Sequence, residues 1–343
     1  MLSKVSILTD VEDDYAIIKT LGKGSYATVY LVDDLDSYDN YALKSIDKSY
    51  ITNQRAVSTV VSEIEILRMI DHPNVTKLYR VYESEGHVHL IMDYVPGINM
   101  LQKIMKVEKF SEKKAVIFLY DMLDILCYLH SKNIVHRDIK LENIIVCSEN
   151  PLKFKLLDFG LSGISSSNDQ TIRCGSPGYI APEILKKQRY GVKIDMFGLG
   201  VCLFMILSGR SPFPGKDLKE ILKANKKGII YFAPIHWKLI SKDAADLILK
   251  LCQPEPELRL SAKEALNHAW LKKVNKEGKG RLSFLKNVTE IPKNNHIFPV
   301  SSVEDIRDIS VVINHPVDGV ANKLIRRSSI GGEATVAHRK VIR

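Results

Sequence analysis

The segment LGKGSYATV, from Leu21 to Val29, has the composition of a loop that can hold a phosphate group. Its glycines, Gly22 and Gly24, lack side chains, so backbone N–H groups there can approach a phosphate without obstruction. Taken alone, the segment fits an ordinary turn with two nearby glycines equally well. It is not a dinucleotide fingerprint, which requires a helix directly after the glycines, nor a P-loop, since no Gly-Lys-Ser/Thr follows.

A candidate phosphate-binding lysine follows in the strand-like run YALK. Lys44 ends this run after the apolar residues Ala42 and Leu43, and Glu63 lies in the next helical stretch. A lone lysine on a strand is normally a solvated charge. Paired with Glu63, however, the Lys44 ammonium would be held against nucleotide phosphates.

Three further motifs occur in a fixed order: HRDIKLEN at 136–143, DFG at 158–160 and APE at 181–183. Asn143 lies five residues after Asp138, and Asp158 lies twenty residues after it. Each tripeptide could arise by chance, but the ordered set is very specific. It therefore indicates function far more strongly than the glycine-rich segment does.

The ordered set resembles the eukaryotic protein kinases over about Tyr15 to Lys272. CGSPGYIAPE, SGRSPF and RLSAKEALNHAW are similar to segments of the calcium/calmodulin-dependent kinase group. The resemblance implies an α+β fold of two lobes, a β-rich small N-terminal lobe and a mainly helical large C-terminal lobe. It also implies an enzyme that transfers the γ-phosphate of ATP to serine or threonine hydroxyls of protein substrates. A pseudokinase, a binding or scaffold module on the same fold, is the alternative.

By matching positions, the resemblance implies an ATP site between the lobes. Lys44 would contact the α- and β-phosphates, and Glu63 would position Lys44. Backbone groups of Asp93 and Val95 would bind adenine, and Met92 occupies the gatekeeper position. The other implied ATP-site residues are Leu21, Gly22, Lys23, Gly24, Ser25, Tyr26, Ala27, Thr28, Val29, Ala42, Asn99 and Ile145.

The resemblance also assigns the reacting groups. Asp138 would accept the proton of the incoming hydroxyl, and Lys140 would steady the transferring phosphoryl group. Asn143 and Asp158 would ligate Mg²⁺, which neutralises charge on the phosphates. Lys140 is typical of serine/threonine kinases, and Ser176 fits the same class because the family places a hydroxyl there to contact the catalytic aspartate and lysine.

Two structural groups follow from the same matching. Glu183 and Arg259 would form a buried ion pair whose loss destabilises the large lobe. A regulatory spine stacked between the lobes would consist of Leu67, Leu78, His136 and Phe159.

Three positions depart from the family pattern. Ala27 replaces the third loop glycine, and Phe197 replaces the commoner tryptophan, and both changes are mild. Asn99 stands where many basophilic kinases have a glutamate, so it can bond a ribose hydroxyl but offers no charge to a substrate arginine. Glu142 is kept as a substrate-docking residue, so we expect a preference for basic residues before the target hydroxyl, although a weaker one.

Hydrophobic periodicity indicates the elements that position these residues. Residues 15–93 alternate as strands do, with one helical stretch at 57–70, and a loop-rich stretch covers 133–182. The further predicted helices lie at 111–132, 194–209, 217–225, 241–252 and 261–273. The expected organisation is an N-terminal extension at 1–14, a small lobe at 15–93, a large lobe at 98–272 and a basic tail at 273–343, with the crevice near 93–100.

Composition narrows the classes of function. A net charge of +9 could reflect nucleic acid, an anionic membrane or phosphorylated ligands. No nucleic-acid motif supports the first of these, and we expect no nucleic-acid partner. Five well-separated cysteines without a C-x-x-C motif indicate buried free thiols rather than disulfides or zinc. The longest apolar run, 196–209, is too short to span a bilayer and predicts a buried helix. We expect a monomer in the cytoplasm or nucleus.

The basic tail carries two candidate regulatory features. In LIRRSSI at 324–330, Ser329 is a candidate phosphosite because an arginine lies three residues before it, although a solvated basic end is an equal alternative. The basic, amphipathic stretch 272–291 is similar to a calmodulin target. Gly278 and Gly280 interrupt it, each at a cost of about 1 kcal/mol in a helix, which argues against calmodulin as a partner.

The loop before CGSPGY carries the other candidate phosphosite. Related kinases often have a phosphothreonine two residues before this cysteine, where it pairs with the arginine before the catalytic aspartate. Ile172 occupies that position here, and Thr171 lies one residue earlier. We therefore expect substantial activity without loop phosphorylation. An upstream kinase acting at Thr171 is the alternative.

Overall fold

The computed structural model of the chain describes residues 11–24, 26–149, 151–165 and 173–277. Over these ranges a strand-rich lobe precedes a mainly helical lobe, so the predicted α+β, two-lobed fold is confirmed. Ser25, Thr171, Ile172 and Ser329 lie outside the described residues, as does most of the calmodulin-like stretch. Predictions about them stay predictions. Within the described ranges, no helix is long and apolar enough to cross a membrane.

The small lobe is built on a five-stranded antiparallel sheet with the strand order β1-β2-β3-β5-β4. One α-helix, α1, lies between β3 and β4 in the order of the chain. The bounds are β1 Tyr15–Lys23, β2 Ala27–Asp34, β3 Asn40–Asp47, α1 Gln54–Met69, β4 Leu78–Glu83 and β5 His87–Asp93.

Helix α1 directs one acidic residue toward the sheet. It begins after Asn53, whose side chain accepts a hydrogen bond from the Ala56 N–H at 2.9 Å. Its buried face includes Val60, Ile64 and Leu67, which recur every three or four residues. Glu63 lies on this same face and is buried with them. The helix therefore carries a carboxylate into the apolar side of the lobe.

The large lobe is a bundle around two long helices, α3 and α5. As predicted, α3 begins after Ser111, and α5 is buried along its whole length. The bounds of its helices are α2 Met100–Val107, α3 Glu112–Ser131, α4 Pro182–Leu185, α5 Lys193–Ser208, α6 Leu218–Lys227, α7 Pro234–Trp237, α8 Lys242–Leu251, α9 Ala262–Leu266 and α10 Ala269–Glu277.

Helix α5 ends at a position that requires glycine. Gly209 adopts the left-handed conformation with φ 69° and donates its N–H to the Met205 C=O at 2.8 Å. A Cβ there would lie 2.4 Å from the Glu108 backbone oxygen. The close approach and the conformation together exclude a side chain, so the chain turns at this point toward SPF.

The stretch predicted as loop-rich contains short strands. β8 pairs with β6 and β9, and β7 pairs with β10. Strands of two to six residues are too short for their alternation to be recognised beside loop residues. Their bounds are β6 Ile98–Asn99, β7 Ile134–Val135, β8 Ile144–Glu149, β9 Leu152–Leu156 and β10 Gly163–Ile164.

The last predicted helix is two helices, α9 and α10. Ser261 caps α9 through a reciprocal pair of hydrogen bonds with Glu264. His268 interrupts the run, because its Nδ1 accepts a hydrogen bond from the Trp270 N–H at 3.3 Å. The Trp270 indole N–H then donates to Glu112 at 2.6 Å, which ties α10 to the start of α3.

All five cysteines are free thiols, as predicted. The prediction that they are buried is wrong for Cys147, which is exposed. Cys147 lies on β8, where alternate side chains point to opposite faces, and its neighbour Val146 takes the buried face. The buried thiols are Cys127, Cys174, Cys202 and Cys252.

The predicted ion pair between Glu183 and Arg259 is present and almost fully buried. The guanidinium donates from Nη1 and Nη2 to the two Glu183 oxygens at 2.6 and 2.9 Å. It also donates to the backbone oxygens of Lys193, Gln253 and Pro254. The pair therefore joins α4 to the segment before α9 and to the start of α5.

Replacing Arg259 should destabilise the large lobe strongly. We expect Arg259→Met to lower the free energy of unfolding by about 3–5 kcal/mol, because Glu183 would remain as an uncompensated buried charge. Lys250→Met is the matched control. Lys250 forms an exposed pair with Asp246 at 2.7 Å, and its loss should cost less than about 1 kcal/mol. Urea unfolding of both variants measures the difference, and similar losses would contradict the assignment.

Candidate active site

The glycine-rich segment forms the turn between β1 and β2. The Gly24 N–H donates to the Ala27 C=O at 2.8 Å, which closes the turn. A Cβ added at Gly22 would meet no atom within 4 Å. The turn therefore leaves open space beside its backbone, as a phosphate-binding turn requires.

Lys44 lies on β3 and is buried between two carboxylates. Its Nζ is 2.6 Å from Glu63 Oε1 and 3.4 Å from Asp158 Oδ1. Burial lowers the pKa of Lys44, but Glu63 and Asp158 outweigh burial and hold the pKa well above its usual value. A fixed cation is therefore available where the small lobe meets the DFG motif.

The catalytic-loop residues form a second polar group on the large lobe. Asp138 Oδ2 lies 2.7 Å from the Lys140 ammonium, and Asp138 Oδ1 accepts a hydrogen bond from the Ser176 N–H at 3.0 Å. Lys140 also donates to the Ser176 hydroxyl at 2.8 Å. The structure thus brings together the three residues that the sequence assigned to proton acceptance, charge stabilisation and substrate class.

Asp158 stands between these two groups. Its backbone has φ 57°, a conformation that non-glycine residues rarely adopt. Burial raises the pKa of its carboxyl, but Lys44, Lys140 and His136 lower it far more, so the pKa lies well below its usual value. The carboxylate is therefore ionised at any physiological pH.

Asn143 and Asp158 are suited to a divalent cation. The Asn143 amide nitrogen donates to the Asp138 backbone oxygen at 2.9 Å and to its carboxylate at 3.2 Å, so the amide oxygen remains available as a ligand. Carboxylate and amide oxygens suit hard cations such as Mg²⁺. Within the described ranges, no three or more His, Cys, Asp and Glu side chains form a metal cluster. A cation held here would take its other ligands from nucleotide and water.

Asp195 fixes the backbone of the catalytic loop, a role the sequence analysis missed. Its buried carboxylate accepts hydrogen bonds from the N–H groups of His136 and Arg137, both at 2.9 Å. It also contacts the His130 ring nitrogen at 3.0 Å. Arg137 has φ 68°, so these bonds hold a strained conformation. An aspartate at the start of a fully apolar helix is the signal that could have revealed this role.

The predicted spine is assembled in the structure. The rings of His136 and Phe159 lie edge to face, 4.8 Å apart, and the His136 Nε2 contacts the Leu157 backbone oxygen at 3.1 Å. Leu67 and Phe159 are buried in the main core, and Leu78 packs against it. A continuous apolar contact therefore joins α1 to the DFG segment.

A crevice of about 660 Å³ lies between the lobes and receives most of the predicted ATP-site residues. Its floor on the large lobe includes Lys140, Glu142, Asn143, Asp158 and Ser176. The predicted ATP-site residues that line it are Gly22, Lys23, Gly24, Tyr26, Ala27, Val29, Ala42, Lys44, Glu63, Met92, Asp93 and Asn99.

Four residues predicted for the ATP site do not line the crevice. Leu21 is 41 % exposed. Ile145 packs against the lobe junction, because its Cγ2 lies 3.0 Å from where a Gly97 Cβ would stand. Thr28 and Val95 are half-buried outside the crevice wall.

Asn99 lines the crevice but is already engaged in the backbone. Its side-chain oxygen accepts the Gln102 N–H at 2.8 Å, and the Gln102 side chain accepts the Asn99 N–H at 3.3 Å. This capping box starts α2. The amide nitrogen of Asn99 is therefore the group left to bond a ribose hydroxyl.

The crevice continues from the catalytic loop toward α6. Glu142 accepts a hydrogen bond from the Tyr179 hydroxyl at 3.1 Å, and both residues line the crevice. Asn225 of α6 is fully buried and accepts the Gly178 N–H at 2.8 Å, which positions the SPGY segment. Lys216 and Ile221 line the far end. A polypeptide could therefore lie along the same opening that receives the nucleotide.

The family follows from this arrangement together with a match to a known sequence model. The protein kinase domain model matches residues 15–271. The chain belongs to the protein kinase family. The matched range contains both lobes and every described residue of the kinase crevice.

Several curated kinases are similar over most of this chain. The probable serine/threonine-protein kinase 2 of Plasmodium falciparum is 37 % identical over 303 residues, 88 % of this chain and 57 % of that protein. Serine/threonine-protein kinase DCLK3 of Mus musculus is 37 % identical over 80 % of this chain and 35 % of its own length. Myosin light chain kinase A of Dictyostelium discoideum is 36 % identical over 78 % of this chain and 91 % of that protein. The chain thus spans about half or less of the length of the first two relatives.

Tyr26, from the glycine-rich turn, folds into the kinase crevice. The Lys44 ammonium lies 6.0 Å from the centre of its ring. Its hydroxyl lies 2.9 Å from where a Gly160 Cβ would stand. Lys44 lowers the pKa of Tyr26, but burial, Asp158 and Glu63 together raise it to about 12. The ring therefore occupies the space where Lys44 and the DFG motif converge.

Removing this ring should strengthen nucleotide binding. We expect Tyr26→Ala to lower the dissociation constant of ADP about three- to tenfold, because the nucleotide no longer has to displace the side chain. Isothermal titration calorimetry without divalent metal measures the constant. Tyr26→Phe keeps the ring and should bind ADP as the wild type does. Equal affinities for the alanine and phenylalanine variants would contradict this role of the ring.

Proposed function

We propose that this chain is an ATP-dependent serine/threonine protein kinase that uses Mg²⁺ and acts on protein substrates. The observation that carries the proposal is the placement of two polar groups on one crevice. Lys44 and Glu63 line it from the small lobe, and Lys140 and Ser176 line it from the large lobe, where both contact the buried carboxylate of Asp138. Phosphoryl transfer depends mainly on positioning and charge stabilisation, and these groups supply both.

Each of the site residues has a defined role in the proposed reaction. Lys44, held by Glu63, binds and orients the ATP phosphates. When bound by Asn143, Asp158 and the nucleotide, Mg²⁺ supplies neutralising charge at the phosphates. The Asp138 carboxylate accepts the proton of the substrate hydroxyl. Lys140, 2.7 Å from that carboxylate, stabilises negative charge on the transferring group.

If the chain were a pseudokinase, we would expect at least one of these catalytic or metal-binding residues to be missing. Lys44, Glu63, Asp138, Asn143 and Asp158 are all present. Four of them line the crevice, and Asp138 is buried beside Lys140 and Asn143, which line it. No contact among the described residues favours a module that only binds.

Two aspartate variants separate catalysis from metal–nucleotide binding. Asp138→Asn should lower kcat by about 10²–10⁴-fold, because the proton acceptor is lost while the nucleotide site is intact. Asp158→Asn should also weaken Mg²⁺–ATP binding. Asp36→Asn, in an exposed turn of the small lobe, is the control and should leave both unchanged. Wild-type turnover by Asp138→Asn would refute the assignment.

Glu142 supports a proposed preference for arginine before the target hydroxyl. A charge-assisted contact is worth about 1.5–3 kcal/mol, which is more than tenfold in specificity. Burial raises the pKa of Glu142, so the preference should weaken as the pH falls and the carboxylate protonates.

A peptide array tests this preference directly. We expect arginine enrichment two or three positions before the hydroxyl for the wild type and its loss in Glu142→Gln. Tyr179→Phe removes the hydrogen bond to Glu142 but keeps the carboxylate, so it should retain the enrichment. A wild type without enrichment at either position would show that Glu142 has another role.

The environment of Arg137 supports activity without loop phosphorylation. The guanidinium lies over the Tyr190 ring, 5.6 Å from its centre. It also packs closely on Gly163, where a Cβ would lie 2.6 Å from its atoms. The side chain is therefore held by an aromatic ring and by β10. This packing supports a proposed activity that does not require a phosphate on Thr171.

A further inference from the structure

One face of the large lobe combines exposed apolar side chains with lysines. We call it the α6–α7 face and define it by Ile229, Tyr231, Ile235 and Leu239 together with the lysines of residues 226–242. The four apolar side chains are 74 %, 73 %, 84 % and 89 % exposed, respectively. Single exposed hydrophobic residues are common on proteins, but a group of four in eleven consecutive positions is a candidate binding surface.

Local geometry places these side chains on one side. Residues 229–232 alternate between exposed and half-buried, so Ile229 and Tyr231 point outward together. The inward residue, Phe232, packs edge to face on Trp237 of α7 at 4.5 Å. Ile235 lies on α7 and Leu239 lies in the turn directly after it, and both side chains are exposed.

The inner side of the face packs on the core of the large lobe. Trp237 is buried, and its ring lies 4.8 Å from the ring of Phe204 on α5. Phe232 lies 5.6 Å from the same ring. Three aromatic rings in mutual contact therefore anchor the segment that carries the outward apolar side chains.

The charge around these side chains is positive. Residues 226–242 contain four lysines and no aspartate or glutamate. Lys226, Lys227, Lys238 and Lys242 are exposed, and no carboxylate in the described part of the chain forms an ion pair with any of them.

The groups packed beside the face do not neutralise its positive charge. Burial and the nearby cations Arg210 and Lys109 lower the pKa of His236. The nearest acids are engaged elsewhere: Glu112 accepts hydrogen bonds from Ser241 and Trp270, and Asp243 pairs with Lys273. The face therefore presents unneutralised positive charge around protruding apolar groups.

We propose that the α6–α7 face binds the surface of a membrane containing anionic phospholipids. Protruding aliphatic and tyrosine side chains enter the interface between headgroups and acyl chains, while the flanking lysines contact lipid phosphates. None of the four apolar residues lines the crevice, so the face is separate from the opening that receives the nucleotide.

Net charge disfavours two other occupants, although the tail segment 304–318 is itself acidic, with four Asp and Glu against one Arg. The chain from Lys276 to its end has 12 Lys and Arg against 7 Asp and Glu, so the tail has the same sign as the face. A second copy of the chain, with a net charge of +9, is repelled as well. An anionic bilayer attracts the lysines through its headgroup charge and takes up the apolar side chains at its interface.

Membrane binding through this face keeps the crevice accessible. The start of α6 lines the crevice, whereas the α6–α7 face begins at its end. Ile221 is the last residue of α6 that lines the crevice, and the face begins five residues later at Lys226, about 7–8 Å along the helix. The bound kinase would act on proteins close to the membrane surface.

Vesicle co-sedimentation of the full chain tests the proposal. We expect binding to phosphatidylcholine vesicles that contain phosphatidylserine, weak binding to phosphatidylcholine alone, and loss of binding at high salt. The double variant Ile235→Ser/Leu239→Ser should lower the partition coefficient about tenfold, because two apolar side chains no longer enter the interface. Lys238→Gln/Lys242→Gln should lower it by a similar factor and reduce its dependence on salt.

Two controls match these variants. Tyr38→Asn removes an apolar side chain that is 80 % exposed on the small lobe, and Lys19→Gln/Lys153→Gln removes two exposed charges elsewhere. Both should bind vesicles as the wild type does, and all variants should phosphorylate a soluble peptide equally. If the face variants bind anionic vesicles as well as the wild type does, another basic segment carries the affinity and the proposal is wrong. Failure of the wild type to bind would also overturn it and point to an acidic protein surface as the partner.

Discussion

The geometry of the catalytic loop depends on one buried carboxylate, that of Asp195. It is 1 % exposed and accepts the backbone N–H groups of His136 and Arg137. Hydrogen bonds to a charged group are worth about 1.5–3 kcal/mol each, enough to offset the strain of a positive φ at Arg137. With the backbone fixed there, Asp138 pairs with Lys140, which lines the crevice.

The two lobes are connected by one set of polar contacts and one set of apolar contacts. On the polar side, Lys44 of β3 contacts both Glu63 of α1 and Asp158 of the large lobe. On the apolar side, Leu67, His136 and Phe159 continue the core between the lobes. A movement of α1 would therefore change the position of the phosphate-binding cation and the packing of the DFG segment together.

Motif order and periodicity predict the lobes, the long helices and the catalytic groups. Ser111 as the start of α3 and the buried run of α5 are confirmed because each depends on local signals, a cap and an apolar stretch. The β8–β9 hairpin, the division of the last helix at His268 and the exposure of Cys147 depend on tertiary contacts that no short window contains.

The distinction between local sequence signals and tertiary contacts applies to the site as well. The sequence identifies which residue types can bind phosphate or accept a proton, and the structure brings most of them to one opening. It does not determine side-chain direction, and Leu21 and Ile145, both predicted for the ATP site, are not among the residues that line the crevice. Tyr26 shows the reverse, because the direction of its ring into the crevice depends on Lys44 and Gly160, both distant in sequence.

The crevice is one connected volume from the glycine-rich turn to the start of α6. No wall of side chains separates the end that faces Lys44 from the end that faces Lys216. A single molecule with a nucleotide-like part and a peptide-like part, joined by a short linker, could therefore occupy both ends at once. The second contact of such a bisubstrate ligand would form at a high effective concentration, so its affinity would greatly exceed that of either part.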